Sequence, residues 1–259
     1  MLPTHIRRDG KTYVQAAKYS PAALKLLRLS DKTGAAAKKA LFAALQDVVK
    51  TQPKVLEERD PQGTSLMYYM AGGYHVPTYQ LLLKQPKVGK LKNLNNGRTP
   101  LHQIAATAFE TPAVLELVAQ HPDALVVDKR GETPLYEVLR HALHGEDDKP
   151  EPKLAALVAR RPGFAELRNH DGTPLLHLLA RRLPDVALMV PGVGTVVDEE
   201  YGDTGLHVIA GLFDSRIPDQ VRVTQLEQVL THPDAKSVKN RRGRTAYEIA
   251  EEQLHLYRK

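Results

Sequence analysis

Gly97-Arg98-Thr99-Pro100-Leu101-His102 is echoed by Gly131-Glu132-Thr133-Pro134-Leu135-Tyr136 and by Gly202-Asp203-Thr204-Gly205-Leu206-His207. Looser copies begin at Gly63, where Ser65-Leu66-Met67 replaces Thr-Pro-Leu, at Gly172 (Asp171-Gly172-Thr173-Pro174-Leu175-Leu176-His177) and at Gly243 (Gly243-Arg244-Thr245-Ala246-Tyr247-Glu248). The marker glycines at 63, 97, 131, 172, 202 and 243 are spaced by 34, 34, 41, 30 and 41 residues. A period near that length marks a stack of small repeats, each burying its apolar face only against its neighbours. Such a stack points to surface recognition as the task of the chain.

The phrase has a mechanical reading. Glycine admits the positive φ that a tight turn needs. Threonine then caps a helix, and proline occupies the first turn, where a missing N–H costs nothing. Leu101, Leu135 and Leu206 open a buried stripe that continues through Ile104-Ala105 and Ile209-Ala210. A second helix follows, around Val114–Val118, Leu154–Val158 and Leu226–Leu230, with apolar residues at helical spacing. Pro53, Pro86, Pro122, Pro162, Pro191 and Pro233 each stand 9 to 11 residues before the next marker glycine and are expected to close these helices.

This pattern resembles the ankyrin repeat, whose T-P-L-H-x-A core is matched best by Thr99 to Ala105. The resemblance covers roughly residue 60 onward. It implies an all-α solenoid of helix-turn-helix units with hairpin-like loops to one side and an N-terminal helical cap. The implied divisions are a cap or degenerate repeat over 1–59 and an array over about 60–93, 94–127, 128–168, 169–198, 199–239 and 240–259. Family members mostly bind other proteins through their loop tips and first helices. In the cap, Ser20-Pro21 opens a short helix to Leu29, and Ala36 to Lys50 reads as an amphipathic helix with Leu41, Phe42, Leu45, Val48 and Val49 on one side. Gly10-Lys11-Thr12-Tyr13-Val14 is a faint echo of the marker phrase. The extra residues of the two 41-residue repeats fall between paired helices, at His144 to Pro152 and Asp214 to Asp219, and read as solvated loops on one face.

Composition fits one continuous array. A hydrophobic content of 42% is ample for a core, and the absence of cysteine excludes disulfides, thiolate metal sites and a cysteine nucleophile. No apolar run approaches the ~20 residues of a membrane span, and the charged start lacks the apolar stretch of a secretory signal. A cytoplasmic protein is expected; one delivered into a host cell without a cleaved signal would have the same features.

Catalytic signatures are missing: there is no G-x-S-x-G, no H-E-x-x-H and no P-loop, and Gly192-Val193-Gly194 lacks a strand-turn-helix setting. No enzyme, cofactor or metal is therefore expected. His102, His177 and His207 stand at the family's T-P-L-H histidine, whose ring bridges loop backbone between repeats. His141 and His144 share a helix face without a third ligand nearby.

Charge suggests a partner. The net charge of +6 collects, on the repeat frame, at Arg98; Lys129, Arg130, Arg140 and His141; His170, Arg181 and Arg182; and Arg241, Arg242 and Arg244. Glu132, Asp171, Glu200 and Asp203 interrupt the series, the last two flanking Tyr201, which joins the candidate surface. A basic ladder of this kind would steer and hold a protein with an acidic surface. A monomer is expected. Nucleic acid is disfavoured, because only 5% of residues are aromatic and the acidic positions would repel a phosphate track. An enzyme would need a site hidden in 1–59 or in the inserted loops.

Overall fold

The computed structural model describes residues 19–257 apart from 31, 33, 74, 109–110, 145–150 and 213–216. The Gly10–Val14 echo, most of the first inserted loop and half of the second lie outside the described residues. The chain divides into two compact units, Met1–Glu137 and Val138–Lys259. The first contains α1 (Pro21–Ser30), α2 (Ala35–Thr51), α3 (Leu66–Met70), α4 (Val76–Leu83), α5 (Pro100–Thr107) and α6 (Pro112–Gln120). The unit boundary falls inside α7 (Pro134–Leu143). The second contains α8 (Pro152–Ala159), α9 (Leu175–Arg182), α10 (Pro184–Ala187), α11 (Gly205–Gly211), α12 (Asp219–Thr231) and α13 (Ala246–Tyr257). The described residues are all-helical with no strand; isolated antiparallel bridges pin four loops, at Arg59–Ser65, Arg168–Pro174, Val197–Thr204 and Lys239–Thr245.

Helices start where the marker phrase ends. Thr99 and Thr204 accept from the backbone N–H of His102 and His207, while Ser65, Thr133 and Thr245 accept from those of Tyr68, Tyr136 and Glu248. Each cap satisfies a donor that the first helical turn leaves open. The Gly172 repeat differs. There Pro174 itself is the N-cap, with extended ψ of 136°, and Thr173 belongs to the loop. The register is unchanged, since Pro174 lies two residues after its glycine like the other N-caps and is bridged as Ser65, Thr204 and Thr245 are; only the Thr-Pro pair stands one residue closer to the glycine.

The six prolines do more than stop helices. In every case the carbonyl before proline accepts from the N–H two residues after it: Gln52 from Val55, Gln85 from Val88, His121 from Ala124, Arg161 from Phe164, Val190 from Val193 and His232 from Ala235, at 3.0–3.2 Å. Proline supplies the φ required at the second position of such a turn. The donor residue is always apolar and buried, so the turn drives a plug under the repeat. Burying a side chain such as Val88 or Phe164 stabilises by about 1.5–3 kcal/mol.

Within the first unit, first helices meet first helices (α1 with α3, α3 with α5) and second helices meet second helices (α2 with α4, α4 with α6). The second unit repeats this, with α9 on α11, α11 on α13 and α8 on α10. Leu101, Ile104, Ala105, Leu206, Ile209 and Ala210 are fully buried in those contacts. α10 is only four residues long, which accounts for the 30-residue spacing of its repeat. In the last 41-residue repeat part of the excess is helix, since α12 runs for 13 residues against 9 in α6.

Candidate binding clefts

Each loop is organised by an Asp or Asn that precedes the marker glycine. Asp60, Asn93, Asp128, Asn169, Asp198 and Asn240 pair their backbone N–H with a carbonyl beyond the glycine, at 2.8–3.0 Å. Their side-chain oxygens accept from N–H groups inside the turn, for example Thr64 on Asp60, Arg130 on Asp128 and Arg242 on Asn240. The glycines then take φ of +66° to +78°. At Gly97 and Gly202 a second constraint applies. A Cβ on Gly97 would stand 2.9 Å from the backbone nitrogen of Lys129, and one on Gly202 would stand 3.3 Å from that of Arg241. In those repeats the next loop rests directly on the glycine.

Much of the basic charge joins loop to loop. Arg59 donates to the Lys92 carbonyl, Lys92 to Val127, Arg168 to Val197, and Lys129 and Arg241 to Leu94 and Glu199. Lys129 and Arg241 also extend their backbone N–H groups to Asn96 and Tyr201 of the preceding loop, at 2.9 Å each. Arg98 pairs with Glu137, and Arg244 with Glu252. Arg182 reaches His144 at 2.8 Å, and His170 lies 3.2 Å from Asp171. Arg140 is exposed and His141 half-buried on α7. Arg130, Arg181 and Arg242 are exposed and make no side-chain hydrogen bond to other described residues. Arg98, Lys129, His170, Arg182, Arg241 and Arg244 among the predicted binding residues are thus engaged within the protein. Arg59, Lys92 and Arg168, passed over in the sequence, belong with them; their only signal is a cation four or five residues before a marker glycine.

The three marker histidines bridge loops in the way expected. His102, His177 and His207 meet the carbonyls of Glu132, Val196 and Arg244 at 3.1, 3.2 and 3.0 Å through Nε2. In His102 the other nitrogen, Nδ1, accepts from the Thr99 N–H at 3.1 Å, so the neutral ring with its proton on Nε2 is fixed by both neighbours. Burial pushes the His102 imidazole down to about 4 and lowers that of His177.

A cleft opens on this frame in each unit. In the first, Thr64, Tyr68 and Gly72 stand one, five and nine residues after Gly63, opposite Asn93, Asn96 and Gln103 at four before, one before and six after Gly97. In the second, Thr173, His177 and Arg181 hold the same offsets from Gly172, opposite Asp198, Tyr201 and Val208 around Gly202. Their volumes are about 390 and 380 Å³. The chemistry differs sharply. Among the described residues the first cleft is neutral and polar; the second places Arg181 and Tyr201 beside Asp171, Asp198, Glu199, Glu200 and Asp203. Hydrogen bonding to Glu200 and the surrounding carboxylates raise the Tyr201 phenol above its ordinary range.

Among the described residues no group of three or more His, Cys, Asp or Glu side chains is arranged to hold a metal ion, and no helix is long and apolar enough to cross a membrane. No protein-family model matches the chain, and no match was found among curated proteins.

Proposed function

We propose that this chain is an ankyrin-type repeat solenoid that binds another protein through its loop tips and the clefts behind them, with no chemistry of its own. The observation that carries the reading is the recurrence of one cleft at the same six register positions in both units, lined by different side chains. A constant frame with variable contents is what recognition on a repeat scaffold requires. The partner is a protein with acidic side chains, met by the exposed tip arginines Arg130 and Arg242. Carboxylates around the second cleft would repel an acidic segment there, which confines the acidic contact to the tips.

The test is affinity capture from the native cell, then binding of the recovered partner across a salt series. Arg130→Glu combined with Arg242→Glu should abolish that binding and leave helical circular dichroism and melting unchanged. Binding that persists in the double variant, or a salt-sensitive oligonucleotide complex that outcompetes the partner, would overturn the proposal.

A further inference from the structure

We infer that the cleft of the first unit holds an uncharged, extended stretch of the partner chain bearing hydroxyl or amide side chains; this rests on the protein-binding reading above. The walls are Thr64, Tyr68 and Tyr69 on one side and Asn93, Asn96 and Gln103 on the other, with Gly72 and Gly73 keeping the rim open. Among the described residues no Asp, Glu, Lys or Arg and no aliphatic side chain lines it. Its sister cleft, built at the same positions, is crowded with charge. Neutrality is therefore a property of these residues, not of the frame.

What the walls have to offer can be read from their existing bonds. Asn93 is committed, its amide donating to Thr64 and its carbonyl oxygen accepting from the Asn95 N–H. Tyr69 donates to Asp60, and Ser30, at the edge, donates to the Leu27 carbonyl. The Tyr68 hydroxyl, the Gln103 amide and the Asn96 Nδ2 make no hydrogen bond to other described residues. Together they present both donors and acceptors, the pairing that a peptide group or a hydroxyl or amide side chain can complete.

The alternatives fail on energetic grounds. An aliphatic segment would cover Gln103 and Tyr68 without satisfying them, leaving buried polar groups unpaired. A charged side chain would give up hydration against neutral walls. The Asp60 carboxylate behind the wall supplies no counter-charge: it is buried and already holds the Tyr69 hydroxyl and the Thr64 N–H. Burial and Asp60 together raise the Tyr69 phenol above its ordinary range, so that wall stays neutral. A lone small solute fits the volume, but the recurrence of the frame in the second unit favours a ligand that is itself a chain.

The full chain, isotope-labelled, is titrated with two synthetic peptide pools of equal length. One is drawn from Ser, Thr, Asn, Gln and Gly; the other has Asp or Lys at alternate positions. The neutral pool should shift the side-chain amide resonances of Gln103 and Asn96, and the charged pool should not. Gly72→Leu is the blocking variant. Gly72 needs no positive φ, and a Cβ there meets the flexible Gln103 amide and the Tyr69 carbonyl oxygen at 3.5 Å each, ordinary contact distances, so the fold tolerates it while the cleft fills. It should weaken neutral-pool binding by about tenfold or more with unchanged circular dichroism. Gln103→Ala, which removes an amide without altering a turn, should act in the same direction.

Equal response to the charged pool, unaltered affinity in both variants, or shifts produced by maltose or chitobiose in place of the peptides would overturn the inference. Peptide shifts confined to the Tyr201 cleft would overturn it while leaving protein binding standing. No response to either pool in either cleft would take both readings down together.

Discussion

Acid should weaken the fold through His102, by an amount that can be worked from its surroundings. The ring is fully buried, with Nδ1 accepting from Thr99 and Nε2–H donating to the Glu132 carbonyl. A second proton would have to sit on Nδ1, facing an N–H. Burial is the main reason the folded imidazole titrates at about 4 against an ordinary 6.5, with Arg98 adding to it and the Glu132 carbonyl, Asp128 and Glu137 opposing. Between those values the folded state binds fewer protons than the unfolded one. The contribution of the neutral ring is complete above the unfolded value, and it is lost as pH falls through the folded one. At about 1.4 kcal/mol for each tenfold change in proton affinity, the full loss comes to roughly 3 kcal/mol. Urea unfolding of the wild type and of His102→Gln, followed by circular dichroism from about pH 7.5 to about pH 4.5, isolates the effect. The wild type should hold its largest advantage near neutrality and lose most of it by the acid end. The variant retains a shallower acid dependence from His177, whose imidazole is lowered in the same direction. Parallel curves for the two proteins would refute the reasoning, since they would mean that residue 102 takes up no extra proton on unfolding.

Three further outcomes follow from the same geometry. Gly131→Ala, at φ +78° with nothing within 4 Å of the added Cβ, should cost only the left-handed penalty of about 1–2 kcal/mol. Gly97→Ala, with the Lys129 backbone in the way, should cost clearly more in the same thermal melt. Arg222→Met should destabilise by about 2–4 kcal/mol, because the buried guanidinium donates to the Ile209 and Ala210 carbonyls at the end of α11, at 2.7 Å each; an unshifted melt would show those carbonyls satisfied otherwise. Leu206→Ala, at a fully buried position, should cost about 2–5 kcal/mol in chemical unfolding.

The frame was legible because it rests on residues with few conformational options. All six marker glycines take the positive φ read from their spacing, and all six prolines stand just beyond a helix. α1 and α2 lie within a residue of their expected bounds, since capping and apolar periodicity act locally. What stayed hidden were the hydrogen-bond partners of particular side chains and backbone groups. The Asp or Asn before each glycine, and the buried apolar residue two after each proline, recur as faithfully as the markers. They escaped notice because such residues are ordinary in any loop or helix until a hydrogen bond assigns them a partner. Arg222 is the extreme case: a charged residue inside α12 reads as a solvated position, and the carbonyls of α11, with Tyr257, explain its burial.

Charge was the least legible property, for a reason that extends to the site. Sequence position shows that a cation lies near a loop tip, but the reach of lysine and arginine lets the head group go either to solvent or to a carbonyl one loop away. Lys129 and Arg241 take the second course, and each lies over a glycine that gives it room to do so. A cation held on a carbonyl is positioned and partly desolvated, so it contributes less to long-range attraction than the net charge suggests. Exposed Arg130 and Arg242, one residue before their marker glycines, lack such an anchor and keep their full field. Among the described residues the six shared cleft positions are uncharged in the first unit, whereas in the second they include His177, Arg181 and Asp198, with further carboxylates beside them. On the proposed protein-binding reading, a segment suited to one cleft would be disfavoured in the other.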